Sequence, residues 1–469
     1  MAPAVPRRDF LRGTAAASAG TLLAGRLGWA DLASEPEPQA VTGRVVHVRH
    51  GRAATWSRSS GSYRDFVSQA AVNQMLDRAV QELKGGTLDV AWRRVFAQSA
   101  NETKLLGIKI NCNNSYDATG AGSQIDAIPE PVIAVIRGFV RAGGRSANVR
   151  VFDLTSSGGA RTIPTWLRNK VLAAYPDVQF KDKASNTAGT YAAATHVTWS
   201  SGYGTKPPVT RIHDLPRQVH YLVNVPIVKR HIGAGATLGY KNHFGTIESC
   251  ANLHSYVYND VTSASVLADI MASPVVPGDT SVKSLAQKTV LTVGDMLYAQ
   301  PCKNFGLTPV PWATFGKEWP NSLIVSDDPV SADSVMSDLL EPEPASGDCG
   351  GISSWTRRYL SIAEAKGQGI HEHVALPSGQ RFDPTRMSYK RIVYRYLDLW
   401  AGGATLTVKR PSATTVRLEW QHYFTGTCEV RRASRKDFSD AVVIASNTLG
   451  YCTDTAAGGP WYYRVDYVG

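Results

Sequence analysis

Apolar positions along this chain follow two rhythms, and the changeover lies near residue 400. Short apolar runs at Val45–Val48, Leu105–Asn111, Val149–Leu154, His220–Val228, Thr289–Val293 and Leu323–Ser326 predict buried strands. Between them lie segments with helical spacing. Arg64–Lys84 places Val72, Met75, Leu76, Ala79, Val80 and Leu83 on one face and stops at Gly85-Gly86. Pro129–Ala142, Thr165–Ala174, Val261–Met271 and Val330–Leu340 read the same way. Strands alternating with helices imply an α/β fold, a mostly parallel sheet with helices on both faces. Residues 401–469 switch to short alternating strands at Thr405–Val408, Thr415–Trp420, Cys428–Arg432, Ala441–Ala445 and Trp461–Val465. They predict a small all-β, sandwich-like domain. The expected organisation is a leader over 1–30, a linker over 31–44, an α/β domain over 45–400 and the β domain over 401–469.

The leader changes the picture from shape to address. Arg7-Arg8-Asp9-Phe10-Leu11-Arg12-Gly13 is a twin-arginine export pattern, followed by a small-residue apolar run from Thr14 to Leu27 and a cleavage-type site near Ala30. Arg26 interrupts the run, so it is too short to span a membrane and no stable membrane insertion is expected. The expected partner is the twin-arginine translocation machinery, and the expected location periplasmic or extracellular. Hydrophobic residues at 43% and charged residues at 19% describe a globular protein with a large core. The net charge is +11, of which residues 1–30 carry +3, leaving +8 in the mature chain. The basic residues are scattered and show no aromatic-basic alternation, which argues against nucleic acid and for a small anionic molecule or an anionic cell-surface polymer. None of the six cysteines forms a C-x-x-C pair, so no ferredoxin-type cluster is expected. Cys428 and Cys452 share the β domain, where an oxidising compartment would permit a disulfide and a reduced pair is the alternative.

Candidate chemistry gathers where predicted strands end. In open parallel sheets, ligands bind beyond the carboxyl ends of strands. Asn111 and the loop to Thr119 follow one strand, and Asp153 closes another. Asp295 and Asp327-Asp328 follow two more. The densest cluster runs from Asn224 to Thr246 and holds Lys229, Arg230, His231, Gly233, Gly235, Lys241, Asn242 and His243. Lys229, Arg230 and Lys241 beside glycines suit a phosphate or carboxylate. Neutral imidazoles at His231 and His243 suit a transition metal. A desolvated Lys241 suits nucleophilic or acid/base work. The expectation is one pocket with Lys241, His231 and His243 as catalytic groups. Lys229, Gly233, Gly235, Asn242, Asn111, Thr119 and Asp153 would hold a ligand or cofactor. The blander alternatives are an anion clamp without metal, or a buried turn whose histidines satisfy backbone groups. His371-Glu372-His373 reads as a solvated loop rather than a metal site, and the glycine spacing over 233–239 misses the dinucleotide pattern.

Four segments then become recognisable together: Gly107–Asn111, Asn224–His231, Gly239–Gly245 and Ser326–Asp333. With their P-x-x-K-x-H and K-N-x-x-G elements they resemble the family called domain of unknown function 362, over about Val45 to Leu397. Many members of that family carry ferredoxin-like cysteine motifs, and this chain has none. His231, the glycines after it and Lys241 are similar to an element of the lactate racemase family, whose lysine anchors a nickel-pincer nucleotide; Asp117-Ala118-Thr119 resembles a turn in the same family, with Gly120 where an arginine is expected. That resemblance implies a metal- or cofactor-dependent proton or hydride transfer. Leu418–Trp420 and Tyr462–Val465 resemble core strands of a fibronectin type III domain. Three function classes follow: an exported enzyme acting on a small anion, a non-catalytic ligand- or surface-binding protein, and a cofactor carrier.

Overall fold

Among the described residues of the computed structural model of the chain, twelve strands precede residue 400. In chain order they are β1 (Gly43–Arg49), β2 (Leu106–Lys109), β3 (Val149–Asp153), β4 (Gln179–Asp182), β5 (Tyr191–His196), β6 (Arg211–His213), β7 (Tyr221–Asn224), β8 (Ile227–His231), β9 (Gly235–Thr237), β10 (Thr289–Gln300), β11 (Ser322–Ser326) and β12 (Ile392–Asp398). The structure describes residues 42–467 except 60, 98–101, 121, 157–158, 186, 188–190, 232–233, 249, 259–262, 275–282, 301–307, 344–356, 375–381, 400–405, 413–414, 421–427, 436–438, 448–450 and 456–461. The leader over 1–30, most of the linker and Gly233 therefore lie outside the described residues.

One sheet in the order β12-β1-β11-β10-β7-β2-β3-β4 organises the α/β part, with β8 paired to β10 and β9 to β8. β2, β3, β4, β7, β8 and β10 run parallel to their neighbours, as do β1 and β12. β11 is antiparallel to both β1 and β10, and β9 to β8. The fold is thus α/β with a mostly parallel sheet. Strand alternation sends side chains to two cores. Val46, Val48, Val223, Leu323 and Val325 pack with the helices Gln69–Lys84, Leu88–Val95 and Pro129–Arg141. Val45, Leu222 and Ile324 face the other way, towards the helices Val266–Ala272, Pro329–Leu340 and Arg358–Ala365.

Several expected boundaries move, each for a local reason. The run His220–Val228 is two strands, because Pro226 has no N–H for a ladder. β8 resumes beyond it beside β10, where Pro226 O accepts from Asp295 N at 2.8 Å. The strand expected at Thr289–Val293 continues to Gln300, so Asp295 lies within it rather than beyond its end. The helix expected from Arg64 begins at Gln69, after Ser68, whose side chain accepts from Ala71 N. The helix expected from Val261 begins at Val266. β4, the β5–β6 pair and β12 had no strong apolar run to announce them. β12 reaches its parallel partner β1 from the far end of the chain.

The tail forms two antiparallel three-stranded sheets. One is β13 (Leu406–Ser412), β14 (Thr415–Trp420) and β17 (Tyr451–Asp454), and the other β16 (Val442–Asn447), β15 (Cys428–Ala433) and β18 (Tyr462–Tyr467). Val416, Leu418, Val430 and Cys452 make its small core. Cys452 is a free, buried thiol, and the side chain of Cys428 lies outside the described residues.

Candidate functional site

Asn242 is the hub of a buried polar network at the ends of β2, β3 and β7. Its Oδ1 accepts from Lys109 Nζ at 3.0 Å and from Asn111 Nδ2 at 3.2 Å. Its Nδ2 donates to Asn224 Oδ1 at 2.8 Å, and Asn224 Nδ2 donates to Gly239 O at 2.9 Å. Lys109 is fully buried, and Asp153 Oδ1 lies 3.4 Å from its ammonium. Asp153 also accepts from Cys112 N at 2.7 Å and Thr155 N at 3.0 Å. Gly245 closes the network: a Cβ there would meet Asp153 Oδ1 at 2.4 Å and Lys109 Nζ at 2.7 Å. Asn111, Asp153 and Asn242 are therefore brought together as expected, but their polar atoms are largely spent on one another. Lys109, the cation at the centre, reads in the sequence as an ordinary strand residue, with no local sign of a site.

Lys229 differs from Lys109. It is 1% exposed, and its Nζ has no hydrogen-bond partner and no ion pair among the described residues. Burial pushes its amine below the ordinary value, and the nearby Asp126 opposes the shift. Asp126 is buried and accepts from Asn114 N at 3.0 Å and from the Ser115 hydroxyl. Burial lifts its carboxyl to about 7, with Lys229 pulling the other way. No acidic partner for the basic cluster stood out nearby in the sequence. Asp126 comes from a distant loop, and Glu248, the nearest in sequence, is held by Arg211. β8 alternation decides the rest. Lys229 faces this site, whereas Arg230 points away and donates to Leu340 O and Glu343 O, both at 2.8 Å. Arg230 therefore caps the end of the helix Pro329–Leu340 and leaves the expected cation triad.

A second group surrounds Lys241, whose Nζ sits 4.5 Å from the centre of the Phe244 ring. Burial lowers its amine to about 8, with Lys229 adding to the shift and Cys250 opposing it. Phe244 meets His254 edge-on at 5.3 Å, and His254 stacks with His231 at 6.1 Å. His254 is half-buried and donates Nδ1–H to Cys250 O at 2.9 Å, which leaves Nε2 as its acceptor nitrogen. His231 has the opposite tautomer: Nδ1 accepts from Ala234 N at 3.1 Å. Burial, then Lys241, keeps both rings neutral, His254 at about 4 and His231 well below its ordinary value. Cys250 and His254 were missed because nothing local marks them; only the chain's return past Phe244 brings them in. His243 is fully buried, and its Nε2 has no partner among the described residues.

Other expected site residues lie elsewhere. Thr119 is exposed in an Asx turn, its N–H donating to Asp117 Oδ1 at 2.9 Å. Gly235, with φ +73°, serves the β8–β9 hairpin, where it pairs with His231. The N–H groups of Gly239 and Tyr240 are taken by Asp333 at 2.7 and 3.0 Å, which closes that helix start to an anion. Asp327-Asp328 sits at the opposite sheet edge because β11 runs backwards; Asp328 caps the next helix, accepting from Val330 N and Ser331 N. His371 and His373 do lie in a loop, with His373 exposed, but the loop is not free of the fold. They pack on that helix, His371 against Ser334 at 2.8 Å and His373 against Asp338, while Glu372 accepts from Lys390 N and Arg391 N.

His231 does not fit the metal centre implied by the racemase-like element. A neutral His231 that accepts at Nδ1 carries its proton on Nε2 and presents no free lone pair. Among the described residues, the group that brings three ligand-type atoms within 4.8 Å of one another is Asp338, Glu341 and His373, not His231 and His243. In that group Arg357 is bonded to Glu341, and Tyr389 OH donates to Asp338 Oδ2 at 2.9 Å.

The sequence profile of the family described as Domain of unknown function (DUF362) matches residues 107–338. The chain belongs to that family. The match spans β2 to the helix Pro329–Leu340 and so contains the whole site. It is narrower than the Val45–Leu397 expected, leaving out β1, β12 and the tail. No curated protein matches the chain.

The neutral His243 makes a testable pH signature. Burial, then Lys109, lowers it to about 3 from an ordinary 6.5. The unfolded chain takes up a proton below about 6.5 that the fold refuses, so this contribution to stability is complete above 6.5 and is lost as pH falls towards 3. Urea midpoints measured down this range should fall more steeply for the wild type than for His243→Phe. Parallel curves would mean that His243 is protonated in the fold.

Proposed function

We propose that the chain is an exported protein that binds a small anion at Lys229 and Lys241 and acts on it by amine and imidazole chemistry. One observation carries this reading: the amine of Lys229 is buried with no hydrogen bond or ion pair among the described residues, an arrangement that costs stability when the amine is charged and that an anionic ligand would relieve. Lys241 is near enough for Lys229 to lower its amine, and among the described residues no ion pair engages it. The neutral rings of His231 and His254 stack on one another, and His254 meets the Phe244 ring that Lys241 contacts. A non-catalytic binding protein shares the anion site and lacks only turnover.

Calorimetry with inorganic phosphate and with a small carboxylate tests the site. Binding should weaken with added salt, and Lys241→Ala should cost on the order of 2 kcal/mol. Unchanged affinity in folded Lys241→Ala would remove this lysine from the site. The export half rests on Arg7-Arg8. Changing both to Lys should leave folded precursor in the cytoplasm on fractionation. Normal export of that variant would defeat the twin-arginine reading. No helix among the described residues is long and apolar enough to cross a membrane.

A further inference from the structure

Both ring nitrogens of His373 face carboxylates, and they do so differently. Nδ1 is bonded to Asp338 Oδ1, whereas Nε2 lies 3.6 Å from Glu341 Oε2, beyond hydrogen-bond reach. Asp338 and Glu341 are three residues apart at the C-terminal end of the helix Pro329–Leu340, so one turn carries both. Asp338 is 3% exposed and is fixed from behind, its Oδ2 accepting from Tyr389 OH at 2.9 Å and from Val374 N at 3.2 Å. A neutral ring held this way donates Nδ1–H to Asp338 and presents the Nε2 lone pair, the arrangement that His231 lacks. The three side chains each offer one ligand atom, all within 4.8 Å of one another. They border a cavity of about 260 Å³ that Pro342, Val374 and Phe382 also line.

We propose that His373 Nε2 and a Glu341 carboxylate oxygen bind a divalent transition ion of the zinc type, with Asp338 orienting the imidazole. Ligand bonds of about 2.1 Å at a tetrahedral angle set two donor atoms about 3.4 Å apart. Nε2 and Oε2 already stand 3.6 Å apart. An imidazole nitrogen with a carboxylate oxygen suits zinc better than magnesium or calcium, which take oxygen donors. The side chains of His373 and Glu341 are 35% and 40% exposed, so an ion reaches them without opening the fold. Two protein ligands leave the remaining positions to water or to a small ligand in the cavity, an open rather than a closed site. Arg357, bonded to Glu341 Oε2, is the competing cation, and an ion pair at an exposed carboxylate is a weak competitor. The metal site does not depend on the anion reading above.

The test uses the whole folded protein, freed of metal with a chelator and titrated with zinc chloride in a calorimeter. Saturable uptake is expected, weakened at least about tenfold in His373→Gln and in Glu341→Gln. Arg357→Gln should tighten it by releasing Glu341. In the wild type, zinc should also protect His373 from carbethoxylation by diethyl pyrocarbonate, with the modified histidines located by peptide mass spectrometry. That readout needs no variant, so no variant's folding decides the matter. Absence of saturable uptake would overturn the proposal. So would uptake that leaves His373 as reactive as before, or that survives both ligand substitutions unchanged. The three side chains would then be an ion-pair latch between the helix end and the loop over 371–374.

Discussion

Replacing Asp153 by Ala is expected to destabilise the protein by about 3–5 kcal/mol, the usual cost of leaving a buried charge without its partner. The Lys109 ammonium, fully buried and 3.4 Å from Asp153 Oδ1, has no water to turn to. The same change strips the acceptor from Cys112 N and Thr155 N. Urea unfolding of the variant measures the loss. Adding Lys109→Met should restore part of it, because the stranded charge goes while the two orphaned N–H groups remain. A double variant as unstable as the two single losses added together would show that the two residues act independently and that the ion pair is not what holds this corner.

The second large effect has the opposite sign in stability. Lys229→Met should unfold at the same urea midpoint as the wild type or a higher one, because methionine fills a similar space without an unpartnered charge. Binding of phosphate should weaken by about 2 kcal/mol or more, roughly thirtyfold. Asp126, relieved of Lys229, would then rise further above its ordinary value and stay protonated. A variant that loses 2 kcal/mol of stability with unchanged phosphate affinity would make Lys229 a structural cation and remove the observation on which the proposed function rests. The contrast between the two lysines is the test of the site as a whole: Lys109 is paired with Asp153, whereas Lys229 has no hydrogen bond or ion pair among the described residues and is proposed to meet an anion.

Local sequence was enough for much of the frame. Thr165–Ala174 is helical over the span its spacing predicts, and the buried face of Gln69–Lys84 is the one its apolar residues mark. The family elements around Lys241 and Asn242 were legible because their residue types are unusual for loops. Helical period, strand period and turn glycines are properties of neighbours in the chain, so the sequence reports them directly.

Direction and partnership are not such properties. That β11 runs backwards, carrying Asp327-Asp328 to the edge away from the site, depends on how distant strands pair. Lys229 and Arg230 are adjacent and alike in charge, yet strand alternation leaves one buried without a hydrogen bond among the described residues and gives the other the carbonyls of a helix end. Asp126 near Lys229, and Cys250 and His254 near Lys241, come from segments that only folding brings close. The sequence by itself determined an α/β chain with a basic, histidine-rich turn after a strand. Tertiary structure decided which of those cations is neutralised, because burial removes water and makes each remaining partner count.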